Sequence, residues 1–263
     1  MTIIRPAARL ALAASAFALT AATALAAPAV ALVGDKTLVM IDTETLAVSG
    51  MVDVEGVDAL HGIDVRPADN LLYGVASDGR VVTIDPATGA ATDKSTLSET
   101  LPDGVGAMVD FNPAADRLRI MATDGTNHRA NVDDGAVTVD GSLKFDPAGP
   151  NAADQQMVVA TAYLNSYGKP EATKMYDIDA AKGLLQQTAP NDGTLAVIGD
   201  GEGWDAETYA FDIQTTADGT NTAWLIADNV VHTLDLESGE ATAVGELAGI
   251  DGMIRDVAIL PAM

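Results

Sequence analysis

A chain of 263 residues, 48% of them hydrophobic, is long enough to bury a core by itself, and the absence of Cys excludes disulfides, thiolate metal sites and cysteine nucleophiles. Asp and Glu number 38 against 14 Lys and Arg, a formal net charge of −24. That balance excludes nucleic acid and anionic membrane surfaces as partners, because both are held through clustered cations.

The N-terminal segment reads as a targeting signal. Residues 1–26 carry Arg5 and Arg9, an apolar run from Leu10 to Leu19, and Ala24-Leu25-Ala26, the small-x-small pattern cut by signal peptidase. The apolar stretch is shorter than the roughly 20 residues a membrane helix needs, so the expectation is a mature domain over 27–263, exported to the periplasm or secreted, without membrane insertion. The acidity belongs to that mature domain, since the signal contains no Asp or Glu. A net-negative surface suits solubility, above all in salty water.

After the signal the chain repeats one pattern of short β-type runs separated by Gly, Pro, Asn and Asp. Ala29–Val33, Thr37–Asp42 and Leu46–Val48 match the second, third and fourth strands of a unit that lacks a first. A full copy follows, with strands at Gly62–Arg66, Leu71–Ala76, Arg80–Asp85 and Ala90–Lys94. Its turns, Pro67–Asn70, Ser77–Gly79 and Pro86–Gly89, supply Asx or Gly where the chain must reverse. Another copy runs from Val109–Pro113 through Arg117–Met121 and Asn131–Gly135 to Ala136–Val139. A looser one has Met157–Tyr163, Thr173–Asp179 and Leu184–Gln187, then an insertion with Pro190–Leu195. The last full copy has Tyr209–Ile213, Thr222–Ala227, Val230–Asp235 and Glu240–Val244.

The C-terminal run Met253–Ile259 is a first strand without the other three. Set beside the N-terminal three it completes a fifth unit and closes a ring, leaving none of the edges an open sheet would carry. The predicted fold is therefore an all-β, five-bladed β-propeller. A β-sandwich, the other architecture open to short strands, does not explain termini that are complementary parts of one repeat. Asp42, Asp85, Asp133, Asp179 and Asp235 recur at the ends of predicted third strands, at intervals typical of blades of about 40 to 50 residues. There each Asp is expected to bond the backbone of the following turn.

Several ordered motifs are similar to a known family. They are Gly62–Pro67 leading to Leu72–Gly74, then Ile84–Thr92, Val109–Pro113 with Asp116–Arg119, Ala162–Asn165, Tyr176–Asp179 and Asn191–Leu195. Together they resemble the bacterial domain of unknown function DUF4394. The resemblance spans nearly all of the mature chain and implies an exported, propeller-like protein. It brings no catalytic residues with it.

Aligned on the first strands, four of five units carry an acid at one place, Asp64, Asp110, Asp212 and Asp256, with Ala162 as the exception. First strands are innermost in a propeller, so these carboxylates are expected to converge on the axis. There they could hold a hard cation such as Ca²⁺, which takes 6 to 8 oxygen ligands, with Tyr163 and Asn165 adding oxygens nearby. The plainer reading is that each Asp accepts backbone N–H groups from the neighbouring blade. His61, just before one inner strand, is a weak candidate for a base or ligand at a channel mouth. His128 and His232 fall inside predicted strands and read as packing residues. Arg66 and Arg255 are expected to pair with acids. The run Asp200–Glu207 alternates acids with Gly in a loop but lacks the twelve-residue EF-hand order, so it reads as solvated.

No nucleophile elbow, phosphate loop, dinucleotide fingerprint or zinc spacing is present. The expected function is therefore non-enzymatic: a monomeric exported propeller presenting a site to a small ligand or a protein, with no cofactor beyond a possible Ca²⁺. The alternative is a Ca²⁺-dependent hydrolase of the lactonase or esterase kind, its metal held by the four aspartates with His61 assisting proton transfer.

Overall fold

The structure, a computed structural model, describes residues 28–43 and 45–261; the expected signal peptide over 1–26 lies outside the described residues. The strands in chain order are β1 (Pro28–Val33), β2 (Thr37–Asp42) and β3 (Val48–Asp53), then β4 (Leu60–Arg66), β5 (Leu71–Ala76), β6 (Arg80–Ile84) and β7 (Ala91–Thr96). Next come β8 (Ala107–Asn112), β9 (Arg117–Ala122), β10 (Asn127–Ala130), β11 (Val137–Val139) and β12 (Lys144–Phe145). The remainder are β13 (Val158–Tyr163), β14 (Met175–Asp179), β15 (Gly183–Ala189), β16 (Thr194–Val197), β17 (Tyr209–Thr215), β18 (Asn221–Ala227), β19 (Val230–Leu234), β20 (Ala241–Glu246) and β21 (Ile254–Ile259). They form five sheets, β4–β7, β8–β11, β13–β16 with β12 outside β16, β17–β20, and β21 with β1–β3. The first strands β4, β8, β13, β17 and β21 contact one another in a closed ring, so the protein is a five-bladed β-propeller.

The residue gradient across each blade explains the order of its strands. The inner pair of strands is buried on both faces, as in β5 with Leu72, Tyr73, Val75 and Ala76 covered, so both sets of alternating residues are apolar. The outermost strands, such as β7 with the sequence ATDKST, have one face in solvent and read as polar. The core is accordingly divided into five apolar clusters, one between each pair of neighbouring blades. Between the closing blade and its β17–β20 neighbour, for instance, Ala29, Ala31 and Val39 pack with Trp224 and Ile226.

Much of the acidity is spent locally in the turns. Asp69, Asp78, Asp85, Asp124, Asp218 and Asp235 each accept the N–H two residues on, at 2.8 to 3.2 Å, and so fix a reversal without a partner strand. The Gly closing two of the outer turns is a joint between blades. Gly89 and Gly135 have φ of +75°, and an added Cβ would meet the carbonyls of Asp53 and Thr96 at 2.2 and 1.9 Å. Their own carbonyls accept N–H of Glu55 and Ser98 at 2.8 and 2.9 Å, fastening each turn to the outer strand of the preceding blade.

Closure follows the expected route, with β21 antiparallel to β1 through Ala29↔Ile259 and Ala31↔Val257. Arg255 secures it differently from expectation, because among the described residues its guanidinium pairs with no carboxylate. It donates to four backbone carbonyls, Gly34 at 2.6, Leu60 at 2.5, His61 at 3.1 and Asp35 at 3.3 Å, tying the last strand to the turn after β1 and to the start of β4. Arg66 does pair with acids, but with Asp116 at 2.8 Å and Asp133 at 3.1 Å rather than with Asp64.

Two further expectations are corrected. The fourth strand of the closing blade is Val48–Asp53, since Leu46 has a φ of +56° and belongs to the turn. In the irregular blade, Asp179 ends the second strand, not the third; the third is β15, and the expected insertion supplies the fourth, β16. The displaced segment 140–146 then adds β12 in parallel to β16. Asp179 still acts as a turn former, accepting the N–H of Met157, Ala181 and Lys182.

Replacing Arg255 by Met keeps the apolar stem but removes the guanidinium from four carbonyls, of which Asp35 keeps the Leu60 N–H as a donor. The expected loss is roughly 2–4 kcal/mol, read as a lower urea midpoint with unchanged slope.

Candidate functional site

The axis of the ring poses a hydrogen-bonding problem. One edge of each inner strand faces its neighbours' inner strands instead of a further strand, so its N–H groups have no ladder partner. Buried aspartates on those strands solve it. Asp64 accepts the N–H of Val65 on its own strand at 2.7 Å and of Phe111 on the next blade at 2.6 Å. Asp110 accepts Tyr163 N–H at 3.0 Å, Asp212 accepts Ile213 and Ile259 at 2.6 Å each, and Asp256 accepts Val257 at 3.0 and Ile63 at 2.8 Å. The carboxylates thus link four of the five inter-strand joints.

The acids do not all lie at one level. Asp64 and Asp110 receive the residue that follows the aligned position on the next strand, Phe111 after Asp110 and Tyr163 after Ala162. By that rule Asp212, which receives Ile259, marks Ala258 as the equivalent position of the closing blade. Strand pairing agrees: Asp64 faces Tyr73 four residues before the turn residue Ser77, and Ala258 faces Val30 four residues before Gly34. Asp256 sits two residues earlier, roughly 7 Å along the strand. Asp64, Asp110 and Asp212 therefore converge with carboxylate oxygens within 4.8 Å of one another, and Asp256 is not in that group.

Burial pushes all four acids up. Asp64 and Asp110 are driven well above the carboxylate range by burial and by the neighbouring carboxylates, Asp212 foremost for Asp64 and Asp64 foremost for Asp110. Burial lifts Asp212 to about 6, against the opposing pull of the Ile259 and Ile213 N–H groups. It lifts Asp256 to about 7, against the Ile63 N–H and the charge of Arg255.

The three carboxylates at this level have partners from the chain itself. Both oxygens of Asp64 and of Asp212 already accept backbone N–H groups, and the level offers three carboxylates with Ala162 and Ala258 in the other places. Nor do the extra oxygens expected from Tyr163 and Asn165 turn toward it. The Tyr163 hydroxyl receives Arg119 Nε, and Asn165 exchanges bonds with Asn221. His61 lies at the N-terminal end of β4, half-buried, with its pKa lowered by burial and by Arg255.

The opposite mouth, at the C-terminal ends of the inner strands, opens into a cavity of about 420 Å³. Asp64 and Asp212 reach it from below, and Ser166, Tyr167, Gln214 and Thr215 line its side. Its wall lies along the β13–β17 joint, the one that Ala162 leaves without a carboxylate. Neutral polar groups hold that joint: Asn165 and Asn221 exchange bonds at 3.0 Å, and Ser166 N–H donates to Thr215 Oγ1 at 2.8 Å. Tyr167 stands 55% exposed at the rim. None of the three His lines this cavity, and Ser166 Oγ donates to the Tyr163 carbonyl. Sequence reasoning missed Gln214, Thr215 and Asn221; the only available signal was the Ala162 exception, which marks the joint they serve. In the Asp200–Glu207 loop, Asp200 accepts Glu202 N–H as an ordinary turn former.

A family model described as domain of unknown function DUF4394 matches residues 37–258. Among solved structures, the chain is similar to a structural genomics protein of unknown function from Bacteroides thetaiotaomicron VPI-5482, at 15% identity and a TM-score of 0.54, over 92% of this chain and 68% of that one. It is also similar to a protein of unknown function from Bacteroides caccae, at 10% identity and a TM-score of 0.46, over 87% and 77% of the two chains. At such identities the likeness shows the fold alone. No curated protein matches. No helix among the described residues is long and apolar enough to cross a membrane.

Two outcomes are expected. Asp212→Ala strands two buried N–H groups and lowers stability by roughly 2–5 kcal/mol in urea titrations. In the wild type, acids whose folded pKa is raised hold protons that the unfolded chain has released, so stability falls as pH rises from about 4 through about 7. Denaturation midpoints measured at intervals from pH 5 to 8.5 check the slope.

Proposed function

On the footing that this chain belongs to the DUF4394 family, a domain of unknown function, we propose that it is a non-enzymatic, exported propeller that binds a small ligand in the cavity at the C-terminal mouth of its axis. The cavity carries the proposal: its volume falls in the range of small-molecule sites, and it combines apolar walls with a few converging polar groups. The carboxyls of Asp64 and Asp212 beneath it disfavour anions, so the ligand class is neutral polar or cationic. Export is supported by the signal pattern of residues 1–26.

The Ca²⁺-dependent hydrolase is the second reading, favoured by the approach of Asp64, Asp110 and Asp212 to within 4.8 Å. Against it stand the backbone bonds already made by those oxygens and the position of His61 at the far end of its strand.

Thermal unfolding of residues 27–263 distinguishes the two. A stabilising shift with a neutral or cationic polar compound, reduced in Tyr167→Ala whose unliganded melting is unchanged, is the expected result; at 100 times Kd the stabilisation is about 2.7 kcal/mol. A shift specific to Ca²⁺ over Mg²⁺ at matched ionic strength, reversed by EDTA and lost in Asp64→Asn, would replace the proposal with the cation reading. Failure of a broad panel of polar amines and sugars to shift melting would overturn it.

A further inference from the structure

Between the blades of β8–β11 and β13–β16 lies a wholly buried polar group that plays no part in the axis or the mouth. Asp177, on β14, is 0% exposed, and Gln187, diagonal to it on β15 where it pairs with Met175, is 3% exposed. Asp177 Oδ1 accepts Thr161 Oγ1 at 2.8 Å from β13 and Gln187 Nε2 at 3.3 Å. Gln187 Nε2 also donates across the blade boundary to Met121 Sδ at 3.2 Å on β9. The remaining acceptors of the two side chains, Asp177 Oδ2 and Gln187 Oε1, are both fully buried and both without a donor.

Two orphaned acceptors on a carboxyl and an amide already joined by one bond amount to a missing donor. An unsatisfied buried acceptor costs free energy comparable to its lost hydration. Turning the Gln187 amide over does not remove the conflict, because its oxygen would then face Asp177 Oδ1 and Met121 Sδ. Arg119, the nearest cation, is committed elsewhere: to Asp140 at 2.6 Å, Asn127 at 2.8 Å, Tyr163 at 3.2 Å and Asn191 at 3.3 Å. A proton on the carboxyl supplies the donor with no further atom.

We propose that Asp177 is a neutral carboxylic acid whose Oδ2–H donates to Gln187 Oε1, completing a two-bond acid–amide pair that acts as a proton-operated fastener at this blade boundary. The step is a protonation alone: the proton comes from solvent on folding and returns to it when the pair opens. The groups facing Asp177 are Thr161 from β13, Gln187 from β15, Arg119 from β9, and Asp179 on its own strand, while Met121 from β9 meets Gln187. Burial dominates and moves the ionisation of Asp177 up to about 7, Thr161, Gln187 and Arg119 pulling it down and Asp179 raising it. The folded pKa lies above the unfolded one, so the contribution of the pair is complete below about pH 4 and is lost as pH rises to about 7.

Asp177→Asn tests this, because an amide N–H takes the place of the acid O–H at every pH. The variant is expected to match the wild type in melting temperature at pH 5 and to exceed it by several degrees at pH 8. Infrared spectra of the folded wild type at pH 5 are expected to show a protonated carboxyl band that weakens toward pH 8 and is reduced in the variant. Equal destabilisation of the variant at both pH values would overturn the proposal, as would wild-type melting that depends on Na⁺ or K⁺ at fixed ionic strength, which would assign the missing partner to a cation. If Asp177→Asn does not fold, infrared comparison of the wild type with Gln187→Leu decides, and a wild-type spectrum lacking any buried acid band at pH 5 would sink the idea. A single ordered water between the two acceptors in a crystal at pH 5 would likewise replace the proton.

Discussion

The protein depends on satisfying backbone N–H groups along the axis of a closed ring. Five inner strands face one another there in contact but without forming a common ladder, so their inward N–H groups need other partners. Aspartate answers the demand because its two oxygens reach one donor on its own strand and one on the next, as Asp64 does with Val65 and Phe111. The cost appears as carboxyl pKa values raised by burial and, for Asp64 and Asp110, by the neighbouring carboxylates.

That solution also positions the site. Where the third inner strand carries Ala162, no carboxylate can bridge to β17, and Asn165, Asn221, Ser166 and Thr215 take over with neutral groups. The cavity opens against this joint, floored by Asp64 and Asp212. The break in the repeat and the chemistry of the mouth are one feature. Away from the axis the same economy of buried donors governs Asp177 and Gln187, whose two free acceptors require a proton.

Repeat reading located the blades well because strand burial varies in the same order in each unit. Buried-both-faces runs such as Leu71–Ala76 and half-exposed runs such as Ala91–Thr96 differ in composition, and turns announce themselves through Asp and Gly. It misplaced elements where local chemistry was copied without its context. Asp179 looks like a third-strand terminator because it caps a turn as Asp42, Asp85 and Asp235 do, yet it ends a second strand. Asp133 of the same set pairs with Arg66 and Lys94, while Asn131 caps its turn. Asp256 aligns with Asp64 by motif, yet the register of β1 against β21 places Ala258 at the level of Asp64 and sets Asp256 two residues away.

The sequence alone determined the number of blades, the closure by complementary termini and the inner-strand placement of the aspartates, because all three follow from periodicity and from the need to pair strand edges. Only the tertiary structure decided which carboxylates meet, where the cavity opens, that Arg255 clasps carbonyls instead of acids, and that Asp177 faces Gln187 with acceptors unpaired. Those outcomes turn on register and on distances between residues remote in sequence. A shift of two residues along a strand leaves its pattern of polar and apolar positions unchanged while moving a side chain roughly 7 Å.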